Sequence, residues 1–555
     1  MGARRYVLRW LWPVPVLAVV AFGSVLGFDF VWDDKNLILN NPFLTQSATL
    51  WRAFTHGFWE LTNVPQPIPM YRPLVIVSYY LEHALWGGVP GGYHATNLCL
   101  HVVNAVLVGA VGRELLRSPW AGLVAALVFL VHPVQHEAIG NIASRTDLLA
   151  TAFGLGATYL WFHPASDRTR EVRNQWSALV LLSFALLSKE SAIVWPALWL
   201  TFAWGTRRGV GLPSRELGPW ILTAMYLALR SAVLGGGSFD APDAGWQGGL
   251  RLTYYAIRFV APASHGPTWE PAAGGIGWSI GLALGWFLLT GALLRRARTR
   301  TLGWCVLGAL VALAPVAELL PIRVRFSDLL MYTSMVPAAF AVGWGATRFG
   351  GGPPLAILAC LVVTPWTAAE VGHFQSDRAL WGHALAHDAH DATAELNYAN
   401  ALRAAGDERE GCARLAVLRT RLEHADTNRI VDRVDYNLGN CALRRGEVAE
   451  AADHFEHAYA HSGGRLWQAG LNRALALLRI GRHEAALAAA VAVSREHPEI
   501  ADVHEAVGVL HAQRGDWPSA SESFRRALEL DPNRPRTQAM FADVERRLRE
   551  RTGAR

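Results

Sequence analysis

Two adjacent carboxylates, Asp33 and Asp34, directly follow the first long hydrophobic run of the chain. Adjacent carboxylates raise each other's pKa, so one can serve as a general base while the other remains a hydrogen-bond partner. The residues alone do not tell which of the two would be the base. An acidic pair at this point is also typical of a solvated membrane boundary or of a helix cap. We expect chemistry here if further functional groups converge on the pair.

Polar residues recur inside or beside the later hydrophobic runs. The cations among them are Arg72, Arg145, Lys189 and Arg325, and the other candidates are Tyr71, His94, His132, His136, Glu137, Asp147 and Glu190. A charge at membrane depth costs several kcal/mol, so such groups normally pair or bind a substrate. Most of them fall on the same predicted side of the membrane as Asp33, which predicts a single cavity.

These candidates also have structural interpretations, because charged and polar side chains hold helices together in membranes. The alternatives are an Arg145–Asp147 ion pair, a helix junction sealed by Lys189 and Glu190, head-group contact by Arg72, hydrogen bonds between helices from His94, Asn97 and His101, and core or interfacial positions for His132 and His136.

The composition places the chain in a membrane. Of 555 residues, 52% are hydrophobic and only 17% are charged, and the mean hydropathy is +0.18. Apolar blocks with flanking Trp and Tyr reach the roughly 20 residues that a spanning helix needs. The predicted spans lie near residues 10–28, 93–112, 119–133, 147–163, 177–188, 190–205, 217–234, 275–294, 302–320, 329–347 and 353–369. A short apolar piece, 251–263, is expected to lie along the outer interface.

Basic residues predict the orientation, because basic loops resist translocation. Arg4, Arg5 and Arg9 precede the first run, and no small-residue cleavage site follows it, which predicts an uncleaved anchor with a cytoplasmic N-terminus. About eleven crossings then place the C-terminal part outside the cytoplasm. The net charge of +6 is explained by these basic loops and requires no nucleic-acid partner.

The C-terminal part repeats. Gly446, Gly481 and Gly515 are spaced by 35 and 34 residues, which is the tetratricopeptide period, and a weaker unit contains Gly406. We predict about four repeats and a charged capping helix, which makes the protein all-α, with a membrane domain at 1–370 and a helical repeat domain at 371–555. Such solenoids are usually protein-binding surfaces.

The five cysteines give one possible cross-link. Cys412 and Cys441 fall on neighbouring repeat helices and could bridge in an oxidising compartment; the alternative is that both remain free thiols. The chain contains no recognised metal-ligand spacing and no Gly-rich phosphate loop, which argues against direct use of ATP or NAD.

Several motifs occur in a recognisable order. They are Asp29-Phe-Val-Trp-Asp33-Asp34 with Asn41-Pro42, Tyr71-Arg72-Pro73-Leu74, Gly92-Tyr93-His94, His132-Pro133 with His136-Glu137-Ala138, Ser144-Arg145 with Asp147, and Ser188-Lys189-Glu190. Together they resemble the TMTC-type family, the transmembrane and tetratricopeptide-repeat-containing O-mannosyltransferases of the GT-C superfamily.

The resemblance implies a function. Asp33 and Asp34 would be catalytic, the donor would be a polyprenyl-phosphate sugar, and the acceptor would be a protein hydroxyl presented through the repeats. Arg72, Arg145, Lys189 or Arg325 would hold the donor phosphate, and no metal cofactor is expected. The membrane would be the bacterial inner membrane or that of the endoplasmic reticulum.

One segment departs from the family pattern. Where relatives have an acidic-Arg-aromatic run, this chain reads Ser327-Asp328-Leu-Leu-Met-Tyr332-Thr-Ser334, with Arg323 and Arg325 close enough to substitute. Two other functions stay open at this point: a GT-C enzyme that glycosylates a glycan or a lipid, and a non-catalytic membrane scaffold.

Overall fold

The protein is described by a computed structural model that covers residues 11–45, 50–62, 69–206, 213–235, 247–262, 276–317, 327–423 and 430–552. Every regular element in these ranges is a helix, which confirms the predicted all-α class. The chain divides into two compact units, Met1–Asp388 and Ala389–Arg555.

The first unit is built mainly from apolar helices. Its longer helices are Pro13–Phe22, Pro73–Trp86, Pro90–Leu116, Pro119–Val131, Arg145–Phe162, Arg168–Leu186, Trp195–Gly205, Pro213–Val233, Gly248–Val260, Ile276–Arg295, Arg300–Leu313, Met335–Ala346, Gly352–Val371 and Asp377–His387. Each of the eleven predicted runs overlaps one of these helices. Helix Pro73–Trp86 was not predicted, because Ser78, Glu82 and His83 interrupt its apolar pattern.

Three helices of the described ranges are long and apolar enough to cross a membrane: Pro90–Leu116, Ile276–Arg295 and the continuous stretch Gly352–Phe374. A fourth span results if Pro119–Val131 and Pro133–Gly140, which meet at a bend of 54°, count as one. Four further apolar helices are shorter. The chain is an integral membrane protein, and the number of eleven crossings stays a prediction.

Small residues bring the helices around the candidate site close together. A Cβ added to Gly122 would lie 2.5 Å from the carbonyl oxygen of Gly109, and one added to Gly154 would lie 1.9 Å from the Trp195 ring. Glycine at such positions lets helices approach closely in a membrane. The helices that carry the site loops are therefore held in a fixed packing.

The described residues of the second unit form four helix pairs and a final helix. The pairs are Ala392–Ala404 with Glu408–Glu423, Val431–Arg445 with Val448–His461, Trp467–Arg479 with His483–Glu496, and Ala501–Gln513 with Trp517–Leu530, and the last helix is Pro535–Thr552. The turns inside the pairs contain Gly406, Gly446, Gly481 and Gly515, all with positive φ. Only glycine adopts this backbone without cost, which explains the periodic glycines. The predicted repeat number and capping helix are confirmed.

Cys412 and Cys441 form a disulfide, so the cross-link that the sequence left open is confirmed. The bond joins helix Glu408–Glu423 to helix Val431–Arg445, with the two Cα atoms 6.0 Å apart. It therefore ties the first repeat to the second.

Candidate active site

Asp34 has no exposed surface and is anchored by three backbone amides. Its Oδ1 accepts the N–H of Ala143 at 2.7 Å, and its Oδ2 accepts the N–H groups of Ile142 at 3.3 Å and Val31 at 3.2 Å. These bonds attach the first loop to a turn in the loop that precedes helix Arg145–Phe162. Burial raises the pKa of Asp34 to about 8, against the lowering effect of the three amide donors.

Asp33 differs from its neighbour in exposure. Its side chain is partly exposed, whereas Asp34 is enclosed. The acidic pair thus contains one carboxylate inside the protein and one at the surface of the loop.

Trp32, immediately before the pair, has a left-handed backbone conformation with φ +49°. This region is unfavourable for a bulky residue, so other contacts must hold it. The N–H of Trp32 donates to Asp377 Oδ1 at 2.8 Å, and Lys35 Nζ bonds Asp377 Oδ2 at 2.5 Å. The buried Trp381 ring packs edge-on against Trp32 at 5.5 Å. Helix Asp377–His387 therefore holds the backbone that presents Asp33.

A buried network lies next to Asp34. Arg145, which has no exposed surface, pairs with Glu82 at 2.9 Å, donates to the carbonyl of Tyr93 at 3.0 Å and hydrogen-bonds Asn97 through Nε. Its guanidinium also lies over the Tyr79 ring at 5.4 Å. The partner of Arg145 is thus Glu82, so the alternative of an Arg145–Asp147 ion pair is wrong.

Tyr79 connects this network to the carboxylate anchor. Its hydroxyl donates to the carbonyl of Ile142 at 3.1 Å, and the N–H of the same Ile142 donates to Asp34. The amide of Asn97 donates to the carbonyls of Asn141 and Ile142, at 3.3 Å in each case. These contacts determine the position of the turn that holds Asp34.

Two more ion pairs involve the predicted cations. Arg72 Nε donates to Glu190 Oε2 at 2.9 Å, and Glu190 Oε1 accepts the N–H of Tyr71 at 2.7 Å. Lys189 Nζ bonds Asp147 Oδ2 at 2.5 Å, and both of these side chains are buried. The segment at Lys189 and Glu190 is therefore joined to helix Arg145–Phe162 through Asp147 and to the start of helix Pro73–Trp86 through Arg72. Arg72 is the most exposed of the three described cations, since its side chain is 14% exposed.

Glu137 and His136 belong to a second polar network. Glu137 Oε2 accepts the hydroxyl of Ser327 at 2.8 Å and the N–H of Leu329 at 3.1 Å. The neighbouring Asp328 forms a two-point ion pair with Arg258, with Nε to Oδ1 at 2.9 Å. His136 Nδ1 lies 4.0 Å from the same carboxylate. The segment 327–334, which differs from the family pattern, is thus held by Arg258 through Asp328.

The remaining predicted residues lie near these networks. His132 Nε2 lies 2.9 Å from the carbonyl oxygen of Phe259, and the imidazole ring of His132 stacks on the phenyl ring of Phe259. His94 is buried and packs edge-on against Phe28 at 6.0 Å. His101 bridges the hydroxyl of Tyr332 and the carbonyl of Leu130, as expected for hydrogen bonds between helices. Arg325 lies outside the described residues, and the functional roles of the whole set stay predictions.

Four residues at or near these networks were not recognised from the sequence. They are Glu82, Arg258, Asp377 and His383. Glu82 is a lone acid in an apolar run, which is a usable signal because such a charge requires a partner. Asp377 follows Ser376, which caps its helix, and nothing in that pattern points to the first loop.

The fold and site define a polytopic helical membrane protein with a buried acidic anchor and a tetratricopeptide domain. The tetratricopeptide repeat family matches residues 471–535. The chain is similar to Protein O-mannosyl-transferase Tmtc2 of Drosophila melanogaster, with 37% identity over 186 residues, which are 32% of this chain and 20% of that protein. It is also similar to human Protein O-mannosyl-transferase TMTC4, with 32% identity over 197 residues, 32% of this chain and 27% of the relative. The resemblance predicted from the motifs is confirmed.

The aligned part thus spans about a fifth to a quarter of the curated relatives. Among solved structures, ArnT from Cupriavidus metallidurans bound to undecaprenyl phosphate matches over 90% of this chain and 81% of its own, with 14% identity and a TM-score of 0.36.

Proposed function

We propose that the protein is a membrane glycosyltransferase that moves a sugar, mannose, from a polyprenyl phosphate to a hydroxyl group of a protein. The acceptor oxygen forms a bond with the anomeric carbon, and the bond from that carbon to the phosphate oxygen breaks. The hydroxyl proton passes to a carboxylate, and the lipid phosphate leaves with the electron pair. Attack opposite the leaving phosphate inverts the anomeric centre.

The unequal surroundings of the two acids are the observation that carries this proposal. Asp34 is enclosed and bound by three amides, while Asp33 beside it is partly exposed on a backbone held by Asp377. A general base must come within hydrogen-bond reach of the acceptor hydroxyl. Asp33 is therefore the base in this proposal, and Asp34 is its positioning residue.

Arg72 is the described cation best suited to the departing phosphate. Its bond to Glu190 uses one of the five N–H donors of a guanidinium, and its side chain retains exposure. Arg145 and Lys189 are buried in their own ion pairs and serve the packing of the site. Arg325 remains a second candidate for the phosphate, and the mechanism proposed here assigns no step to a metal.

The names of the relatives support a protein acceptor, and the tetratricopeptide domain supports a protein-interaction role. We place this domain and the acidic loop on the extracytoplasmic side, facing the periplasm or the lumen, as the basic loops predict. The donor would then enter from the lipid bilayer at head-group depth.

The deciding experiment is mass spectrometry of exported proteins from cells with the chain, without it, and with Asp33→Asn. Asp167→Asn is the matched control, because Asp167 is an exposed helix cap and asparagine caps equally well. Hexose-bearing peptides should vanish in the deletion and in Asp33→Asn but persist in the control. If the deletion and Asp33→Asn altered the glycosylation of glycans or lipids and left the peptides unchanged, the acceptor would be a glycan or a lipid and not a protein. Unchanged glycosylation in Asp33→Asn would reject the proposal.

A further inference from the structure

A carboxylate and several imidazoles meet at the end of helix Gly352–Val371, outside the ion pairs of the candidate site. Candidate ligand atoms of Glu370, His373 and His383 all lie within 4.8 Å of one another. The rings of His373 and His383 stack with centroids 3.6 Å apart, and the His387 ring lies 4.7 Å from that of His383. All four residues belong to the first compact unit.

We propose that Glu370, His373 and His383 bind a divalent transition metal ion of the Zn²⁺ class. Imidazole nitrogens and a carboxylate oxygen are ligands that Zn²⁺ accepts, at about 2.0–2.2 Å from the metal. In a tetrahedral site such ligand atoms lie about 3.4 Å apart, so the distances between the ligand atoms of this cluster would shorten by at most about 1.4 Å. His387, one helical turn beyond His383, lies beside the cluster, with its ring 4.7 Å from that of His383.

The carboxylate is also oriented by a second contact. Trp366 Nε1 donates to Glu370 Oε1 at 2.8 Å, from one turn earlier on the same helix. Hydrogen bonds of this kind orient metal ligands, and losing one typically weakens metal binding about 10- to 100-fold. Glu370 itself is mostly buried, with 9% exposure.

The spacing of the candidate ligands along the chain does not by itself indicate a metal site. Glu370 and His373 are three residues apart, and His383 and His387 are four apart, so each pair shares a helix face. The two pairs belong to different helical segments, which the turn between them brings together. The sequence predicts no metal, because it contains no recognised metal-ligand spacing and because fixed cations can replace a metal at the donor phosphate.

The position of the cluster suggests what the metal does. Helix Asp377–His387 contributes His383 to the cluster, and the same helix contributes Asp377 and Trp381 to Trp32. A metal that joins this helix to the end of helix Gly352–Val371 would fix the support of the acidic loop. This is a structural role, and it does not depend on the proposed transfer reaction.

Zinc binding by the purified full-length protein in detergent tests the proposal. The protein is stripped with a chelator under non-reducing conditions and then titrated with Zn²⁺ against a chromogenic competitor, with bound zinc counted by mass spectrometry. Non-reducing conditions keep Cys412 and Cys441 bonded and therefore unable to act as thiolate ligands. We expect one Zn²⁺ per chain, and X-ray absorption should show two or three nitrogen ligands of imidazole.

Variants give the comparison. His373→Ala and His383→Ala should each weaken zinc binding by more than 100-fold, and Trp366→Phe by about 10- to 100-fold. His457→Ala, at an exposed histidine of the repeats, should bind zinc like the unmodified chain. If an alanine variant does not fold, X-ray absorption on the unmodified protein still decides. Zinc binding that is absent, or equal in His383→Ala and His457→Ala, would overturn the proposal whatever the transfer activity.

Discussion

The backbone N–H of Ala143 bonds the carboxylate of Asp34 at 2.7 Å across 109 positions of sequence. The first loop and the turn before helix Arg145–Phe162 are therefore one structural unit. Because Asp34 is committed to this contact, substitutions at the two acids are expected to have different consequences.

Asp33→Asn should abolish transfer without affecting the fold. Removing a general base typically costs 10²- to 10⁴-fold in rate, and asparagine preserves size and hydrogen bonding. Glycopeptide yield and the melting temperature are the two measurements. A melting temperature that falls by as much as that of Asp34→Asn would instead give Asp33 a structural role.

The stability of the protein should decrease as the pH rises from about 4 to about 8. The pKa of Asp34 is raised by burial from 3.8 to about 8, so the folded state binds this proton more tightly than the unfolded state does. The contribution is fully present below the unfolded pKa, shrinks by up to about 1.4 kcal/mol per pH unit, and is lost above about 8. Melting temperatures between pH 5 and 9 should show this trend in the unmodified chain and a weaker one in Asp34→Asn. Equal slopes for the two proteins would contradict the assignment.

Asp377→Ala should reduce transfer strongly with a smaller effect on stability. The carboxylate holds the left-handed Trp32 backbone through one oxygen and Lys35 through the other. Lys35→Met is the matched variant, since it removes the ion pair but keeps the bond to the Trp32 N–H. Initial rates should therefore fall more in Asp377→Ala than in Lys35→Met. The reverse order would show that the ion pair, and not the backbone contact, supports Asp33.

Arg145→Gln should destabilise the membrane domain by about 3–5 kcal/mol, because it leaves the buried Glu82 without its cation. Combining it with Glu82→Gln should recover much of that loss. The free energy of unfolding of the single and double variants gives the coupling. If Arg145→Gln left stability unchanged but weakened donor binding, Arg145 would be a phosphate ligand as first predicted.

Replacing Cys412 and Cys441 by serine should lower the stability of the repeat domain by about 3 kcal/mol. The cross-link closes a separation of 29 residues, and loops of this size give stabilisation of that order. Thermal unfolding of the full chain, with and without reductant, provides the test. Reductant should lower the melting temperature of the unmodified protein and leave the serine variant unaffected.

Features with local signals were predictable from the sequence. Long apolar runs predicted the helices, and Gly446, Gly481 and Gly515 predicted the repeats because a positive φ recurs at each turn. The Cys412–Cys441 pairing also followed from the repeat pattern, although only as one of two possibilities.

The partners inside the site were not predictable in the same way. Arg145 pairs with Glu82 on a helix that was not recognised, and Trp32 meets Asp377 345 positions further along the chain. These pairings depend on tertiary packing, which the hydrophobic periodicity of the sequence does not reveal. The sequence therefore indicated polar residues that lie in the buried networks, but not which of them contact each other.

With the repeats outside the cytoplasm, as proposed, the disulfide between the first two repeats makes the stability of this domain depend on the orientation of the chain in the membrane. Thiols in the cytosol are kept reduced. A molecule inserted with its repeats in the cytosol would therefore lack this disulfide, and its repeats would unfold more readily. Under the proposed topology, one covalent bond therefore makes the correctly inserted chain the more stable one.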